Sequence, residues 1–152
     1  MRPEVDWTSG RLCVLLVDDN VADCELVQEA VAAQGRPVSV LAVHDGRTAL
    51  QWLDEQADRC ALPDVLLLDI RMPGMGGLEV LRAVRDSAAL YRLPVVMLST
   101  SADERDVRQA YDLMTTGYLV KAKAFGEFAD QMGRFVRHWS DVKFPVSRGY
   151  GA

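Results

Sequence analysis

The stretch Val14-Leu15-Leu16-Val17-Asp18-Asp19 places two adjacent carboxylates directly after four apolar residues. A nearly continuous apolar run is typical of a β-strand that is covered on both faces. A second run, Val65-Leu66-Leu67-Leu68, ends in the single carboxylate of Asp69. Two later runs also end in polar groups, the hydroxyl of Ser99 and the amine of Lys121. If the four runs are parallel strands of one sheet, these groups meet at one edge of it.

Short apolar runs alternate along the chain with longer segments of helical periodicity. The predicted strands are Leu12 to Asp19, Val38 to His44, Asp64 to Asp69, Pro94 to Ser99 and Gly117 to Lys121. Each is followed by a segment whose apolar residues recur three or four positions apart, as on one face of a helix. This alternation predicts right-handed crossovers and a parallel sheet covered by helices on both faces. In such sheets the ligand site lies outside the carboxyl ends of the strands.

Length and composition limit the class of protein. We expect an arm at 1–10, one domain at 11–139 and a tail at 140–152, with no effector domain in the 152 residues. The net charge of -5 argues against nucleic acid as a partner, because phosphate binding requires a basic face. We find no run of 18 apolar residues and no leader, so we expect neither membrane insertion nor secretion. Three cysteines without a CxxC pair fit reduced thiols in the cytoplasm.

The carboxylates at the predicted sheet edge indicate a site for a divalent cation. Asp18, Asp19 and Asp69 would repel one another at a few ångströms, and a hard cation relieves this repulsion. Mg²⁺ fits, because it accepts carboxylates, a backbone carbonyl and water while leaving room for phosphate oxygens. An aspartate beside Mg²⁺ can accept a phosphoryl group while a lysine and a hydroxyl bind its equatorial oxygens. Asp69, Lys121 and Ser99 supply those groups; the alternative is that all are merely polar strand ends at the surface.

A set of motifs stands in a specific order along the chain. Its members are Asp18-Asp19, Asp69-Ile70-Arg71-Met72-Pro73 with Gly77, Ser99, Tyr118 and Lys121. With these residues the chain resembles the receiver domain of two-component response regulators from Leu12 to Trp139. The resemblance implies a flavodoxin-like α/β fold, doubly wound around a five-stranded parallel sheet of order 2-1-3-4-5. It also implies phosphoryl transfer from a sensor histidine kinase to Asp69. The protein would then be a phosphoacceptor that catalyses its own phosphotransfer and dephosphorylation, and not an enzyme.

The resemblance also assigns the metal ligands. It implies that Asp19 and Asp69 bind Mg²⁺ directly, that Asp18 acts largely through water, and that Arg71 offers its backbone carbonyl.

Further roles concern the phosphoryl group after transfer. The resemblance implies that Lys121 pairs with it, that Ser99 moves toward it, and that Tyr118 turns inward. It also places Thr100 with these three among the phosphate-binding or switch residues. These movements would reshape the surface of the fourth helix, fifth strand and fifth helix. The positions two residues beyond the acceptor and the hydroxyl, Arg71 and Ser101, flank the route of an attacking water in this fold. We therefore expect both to tune the lifetime of the phosphate.

A narrower resemblance is to stand-alone regulators that partner phytochrome-type sensor kinases. It is carried by Asp-Asn-Val-Ala-Asp at 19–23, Leu-Ser-Thr-Ser at 98–101, Gly-Tyr-Leu-Val-Lys at 117–121, Phe128, Trp139 and Phe144-Pro145. The implied partner is a sensor histidine kinase of the bacteriophytochrome type. Apolar residues beyond Trp139 also predict a homodimer, built on the fourth helix, fifth strand and fifth helix, with the tail from Ser140 to Ala152 reaching across to the partner.

One departure from the family leaves alternatives open. Ala122 follows Lys121 where the family has a proline with a cis bond. A cis bond before a non-proline residue costs about 3 kcal/mol, so this loop either stores strain or is trans. The departure is the one feature that favours a pseudo-receiver, an interaction module that is never phosphorylated. The other alternative is a phosphatase of the haloacid dehalogenase type, which needs Asp-x-Asp on the first strand, whereas Asp18 and Asp19 are contiguous.

Overall fold

The computed structural model describes residues 10–144 as five strands that alternate with five helices. The strands are β1 (Leu12–Val17), β2 (Val38–Val43), β3 (Val65–Leu68), β4 (Val95–Ser99) and β5 (Gly117–Val120). The helices are α1 (Val21–Ala32), α2 (Gly46–Asp58), α3 (Gly77–Asp86), α4 (Glu104–Asp112) and α5 (Phe125–Asp141). All strand pairs are parallel and the sheet order is β2-β1-β3-β4-β5. The predicted fold and strand order are confirmed.

The sheet separates two apolar clusters, which explains the continuous apolar character of β1. Leu15 and Val17 belong to the cluster covered by α2, α3 and α4. Val14 and Leu16 belong to the cluster covered by α1 and α5. Successive side chains of a strand point to opposite faces, so a strand covered on both sides needs apolar residues at every position.

Four predicted strands end earlier than the sequence pattern indicated: β2 ends at Val43 rather than His44, and the other three end just before residues of the predicted site. The residues Asp18, Asp69 and Lys121 lie just beyond the last paired residues of β1, β3 and β5. Each still donates its backbone N–H to a neighbouring strand: Asp18 to Val43 at 3.1 Å, Asp69 to Val17 at 2.9 Å and Lys121 to Ser99 at 2.8 Å. These bonds fix the backbone of the polar residues at the carboxyl edge of the sheet while their side chains leave the apolar layers.

Side-chain caps fix where two of the helices nearest the carboxyl edge begin. Asn20 Oδ1 accepts the backbone N–H of Asp23 at 3.1 Å at the start of α1, and Asp103 Oδ1 accepts that of Arg105 at 2.9 Å at the start of α4. Such caps satisfy N–H groups that have no partner within the helix. Both helices therefore begin directly after loops that border the predicted site.

The last helix continues two residues past the predicted end of the domain. Because α5 ends at Asp141, Ser140 lies in the helix rather than in a tail. Phe144 then stacks on Trp139 of its own chain, with ring centroids 6.3 Å apart. This contact covers apolar surface that the sequence pattern assigned to a partner. The rest of the predicted tail, 145–152, and the arm at 1–9 lie outside the described residues. None of the helices within 10–144 is long and apolar enough to span a membrane.

Candidate functional site

Three carboxylates lie together beyond the carboxyl ends of β1 and β3. Oxygen atoms of Asp18, Asp19 and Asp69 all lie within 4.8 Å of one another. Asp18 and Asp69 are 1% and 9% exposed, whereas Asp19 faces solvent. The structure thus brings together the predicted acidic residues, in a pocket with one open side.

The surroundings of Asp69 destabilise its ionised form. Burial raises the pKa of Asp69 to about 6, and the neighbouring carboxylate of Asp18 raises it in the same direction. Lys121 and the backbone N–H groups of Ile70 and Arg71 act in the opposite direction on this pKa without overcoming the burial. A hard cation with oxygen ligands would stabilise the ionised form of Asp69. The donor set and its electrostatics therefore fit a divalent cation.

Lys121 reaches the pocket from the end of β5. Its Nζ lies 2.9 Å from Asp18 Oδ2 and 3.1 Å from Asp23 Oδ2. Burial lowers the pKa of Lys121, but its hydrogen bonds to these two carboxylates and its charge interaction with Asp18 outweigh the burial and raise the pKa overall. The side chain therefore remains an ammonium, and the charge of Asp69 contributes to the same direction.

Asp23 is a site residue that was not identified from the sequence. It lies in the first turn of α1, and its backbone N–H is bound by the helix cap Asn20. The available signal was an acidic residue four positions after Asp19, one helical turn from the acidic pair. Its contact with Lys121 depends on the direction in which α1 leaves the sheet, which the pattern of apolar residues does not specify.

The hydroxyl side of the site centres on the loop after β4. Ser99 is fully buried, and its Oγ accepts the backbone N–H of Ser101 at 3.1 Å. The Tyr118 hydroxyl donates to the carbonyl of Ser101 at 2.7 Å, and the tyrosine ring is half-buried. Thr100 lies exposed between the two serines. The loop thus joins the buried hydroxyl of β4 to the aromatic residue of β5.

The two predicted tuning residues meet on one carboxylate of α4. Arg71 donates to Asp106 Oδ2 at 2.7 Å, and Ser101 Oγ donates to the same oxygen at 2.6 Å. Asp106 was not identified from the sequence, because it carries no motif and its orientation depends on the packing of α4. The guanidinium of Arg71 is thereby held toward α4, while its backbone N–H contributes to the environment of Asp69. Ligation of a metal by the Arg71 carbonyl stays a prediction.

Comparison with known proteins agrees with this arrangement. Residues 14–132 match the response regulator receiver domain. The chain belongs to the response regulator receiver family.

Two relatives, Rcp1 and RcpA, illustrate the similarity. Response regulator Rcp1 of Synechocystis sp. is 36% identical over 112 residues, which cover 72% of this chain and 76% of that protein. The phosphorylated cyanobacterial phytochrome response regulator RcpA superposes with a TM-score of 0.81 at 33% identity, covering 90% of this chain and 99% of that one. The Mn²⁺-bound form of Rcp1 gives a TM-score of 0.79 at 31% identity, covering 88% and 99%. The predicted resemblance to phytochrome-associated regulators is confirmed.

In this receiver domain, Gly77 allows α3 to begin against the loop after β3. The Gly77 N–H donates to the carbonyl of Ile70 at 2.9 Å. A Cβ atom at this position would lie 2.0 Å from the backbone oxygen of Asp69, closer than any real contact. Replacing Gly77 would therefore displace the backbone that carries Asp69. Gly74, with φ at +74°, lets the same loop turn back toward α3.

The loop after β5 is where this receiver domain departs from the family. No cis peptide bond occurs within residues 10–144, so the bond between Lys121 and Ala122 is trans. Of the two alternatives drawn from the sequence, the structure has the trans loop. Lys121 nevertheless reaches the carboxylates of the pocket.

Proposed function

We propose that this receiver domain accepts a phosphoryl group on Asp69 in a Mg²⁺-dependent reaction, with a sensor histidine kinase as the donor. The observation that carries the proposal is a buried carboxylate grouped with two further carboxylates, one of which binds the ammonium of Lys121. A buried hydroxyl, that of Ser99, ends the neighbouring strand. The raised pKa of Asp69 means that burial destabilises its anion. Binding of a cation, or formation of a bond from this carboxylate to phosphorus, would relieve that destabilisation. The Mn²⁺-bound form of the relative Rcp1 supports a divalent cation at such a pocket.

The proposed step is an in-line displacement at phosphorus. A carboxylate oxygen of Asp69 forms the new P–O bond while the P–N bond of the kinase phosphohistidine breaks, and the leaving imidazole nitrogen takes up a proton. A cation held directly by Asp19, Asp69 and the Arg71 carbonyl, with Asp18 acting largely through water, would neutralise charge on the transferring group. Lys121 then pairs with a phosphoryl oxygen. Water later hydrolyses the acyl phosphate and regenerates the carboxylate.

We propose that the signal leaves through the loop after β4. If Ser99 turns its hydroxyl toward a phosphoryl oxygen, it gives up the bond from the N–H of Ser101. Ser101 also holds Tyr118 through its carbonyl and Asp106 through its hydroxyl. A change in the position of Ser101 therefore alters its contacts with both β5 and α4. The surface of α4, β5 and α5 would change with phosphorylation, and another protein could recognise that change by contact or receive the phosphoryl group by phosphorelay.

The partners follow from similarity and surface character. The relative RcpA is a phytochrome response regulator, which supports a phytochrome-type sensor kinase, such as a bacteriophytochrome, as the donor. A homodimer through α4, β5 and α5 is supported by Tyr111, Met114 and Val120, which are 51%, 70% and 41% exposed. The net charge of -5 speaks against nucleic acid as a partner. The three free cysteines, Cys13, Cys24 and Cys60, are consistent with a cytoplasmic location.

Phosphorylation by a small donor tests the proposal without a known kinase. The protein is incubated with acetyl phosphate and Mg²⁺, and its intact mass is measured with and without EDTA. One phosphoryl group should appear in the wild type with Mg²⁺ only, and none in Asp69→Asn. Equal labelling of the variant, or labelling that EDTA does not affect, would contradict the assignment. Absence of labelling under all conditions would favour the pseudo-receiver.

A further inference from the structure

One side-chain amide bridges both peptide groups that flank Lys121. Nε2 of Gln131 donates to the carbonyl of Val120 at 2.8 Å, and Oε1 of Gln131 accepts the N–H of Ala122 at 3.2 Å. The same residue of α5 therefore holds the peptide group before Lys121 and the peptide group after it.

This bridge fixes the direction of the lysine side chain. A residue has two soft backbone torsions, and the planes of its two peptide groups determine them. Gln131 binds one atom of each plane, while the N–H of Lys121 itself is bound by the carbonyl of Ser99 at 2.8 Å. With both planes restrained, the Cα–Cβ bond of Lys121 has a defined direction toward the pocket.

The bridge requires a backbone N–H at position 122. Ala122 supplies the N–H that Gln131 accepts, and a proline at this position would have no such donor. Gln131 is half-buried on α5, next to Met132, and Phe128 and Phe135 flank it on the same helix. These three apolar residues are buried in the cluster beneath α5, so the helix position of Gln131 is well anchored. The two hydrogen bonds of Gln131, called the clamp below, are therefore made at the position where the family has a proline.

We infer that Gln131 is a positioning residue for Lys121 in phosphoryl transfer. The inference rests on the proposed function, because Lys121 acts there on the phosphoryl group. Gln131 does not touch the reacting atoms; it acts by holding the loop from which the ammonium extends.

Two substitutions separate the parts of the clamp, and a third serves as the control. Gln131→Met keeps the length of the side chain and removes both hydrogen bonds. Gln131→Glu keeps an acceptor for the Ala122 N–H and loses the donor to Val120. Gln51→Met makes the same change at an exposed position of α2 and serves as the matched control. Thermal unfolding of all variants verifies that each is folded before the comparison.

Three readouts decide the inference. Because a hydrogen bond contributes roughly a factor of five to an equilibrium, Gln131→Met should speed amide exchange at Ala122 at least about fivefold. It should also shift the NMR signals of the Lys121 side chain and slow phosphorylation by acetyl phosphate by roughly five- to twentyfold, with unchanged Mg²⁺ affinity. Gln131→Glu should fall between Gln131→Met and the wild type in phosphorylation rate, and Gln51→Met should match the wild type.

The outcomes distinguish this inference from the proposed function. Unchanged exchange at Ala122 in Gln131→Met would overturn the clamp, and faster exchange with unchanged Lys121 signals and phosphorylation rate would overturn the positioning role. If the wild type itself is not phosphorylated, the proposed function fails. In that case, faster exchange at Ala122 with shifted Lys121 signals in Gln131→Met would still support the positioning of Lys121, and unshifted signals would overturn it.

Discussion

Replacing Asp69 with asparagine should stabilise the metal-free protein at neutral pH. Burial, reinforced by Asp18, raises the pKa of Asp69 from 3.8 to about 6. A difference of one pKa unit corresponds to about 1.4 kcal/mol, so the ionised form of Asp69 destabilises the fold by at most on the order of 3 kcal/mol. Solvent at the open side of the pocket screens part of this destabilisation. Asparagine has nearly the same shape and no charge, so we expect Asp69→Asn to recover about 1 to 2 kcal/mol in EDTA.

The stabilisation should depend on pH in a defined window. Above pH 6 the carboxyl group of Asp69 is ionised in both the folded and the unfolded protein, so the destabilisation is fully present. As the pH falls from about 6 to 3.8, the folded protein binds the proton first, because its pKa is the higher one, and the wild type gains stability relative to the variant. The difference between the two proteins should therefore close by pH 3.8.

Urea unfolding followed by circular dichroism measures this difference. Wild type and Asp69→Asn are compared in EDTA above pH 6 and near 3.8, with the exposed Asp54→Asn of α2 as the control. Mg²⁺ should stabilise the wild type more than Asp69→Asn, because the variant lacks one anionic ligand. A variant that is equally or less stable than the wild type in EDTA above pH 6 would refute the electrostatic reasoning.

Three further predictions concern the partner of Lys121, the tuning of the phosphate lifetime and the homodimer surface. Asp23→Asn should lower the free energy of unfolding by about 1 kcal/mol, measured in urea, because the buried ammonium loses one of two carboxylates; no change would contradict the ion pair. Arg71→Ala and Asp106→Asn should each change the half-life of the phosphorylated protein while leaving Mg²⁺ affinity nearly intact, and an unchanged half-life in both would exclude this tuning. Met114→Asp should weaken the homodimer in light scattering while the control Tyr91→Asp should not, and a monomeric wild type at high concentration would end the dimer proposal.

The fold and the acidic pocket could be predicted because both depend on local sequence. Continuous apolar runs specify strands covered on both faces, and their alternation with helices specifies a parallel sheet. Parallel strands share one carboxyl edge, so the residues directly after β1 and β3 had to converge. This explains why the pattern of apolar runs alone was enough to place Asp18, Asp19 and Asp69 together.

The contacts that tertiary packing determines could not be predicted. Asp23 and Asp106 meet their partners only because α1 and α4 leave the sheet in particular directions, and nothing in the local pattern fixes those directions. Gln131 is separated from Ala122 by nine positions and a loop, so its bridge depends on how α5 docks. The end of α5 was placed too early because Trp139 looked like the last core residue, whereas Phe144 packs back onto it.

Chemical trapping tests most directly whether Asp69 carries the phosphoryl group. Protein treated with acetyl phosphate and Mg²⁺ is reduced with borohydride, which converts an aspartyl phosphate to homoserine, and is then digested and sequenced by mass spectrometry. We expect homoserine at position 69 in samples with Mg²⁺ and unmodified aspartate in samples with EDTA. Homoserine at another aspartate with position 69 unmodified, Asp18 and Asp19 included, would contradict it.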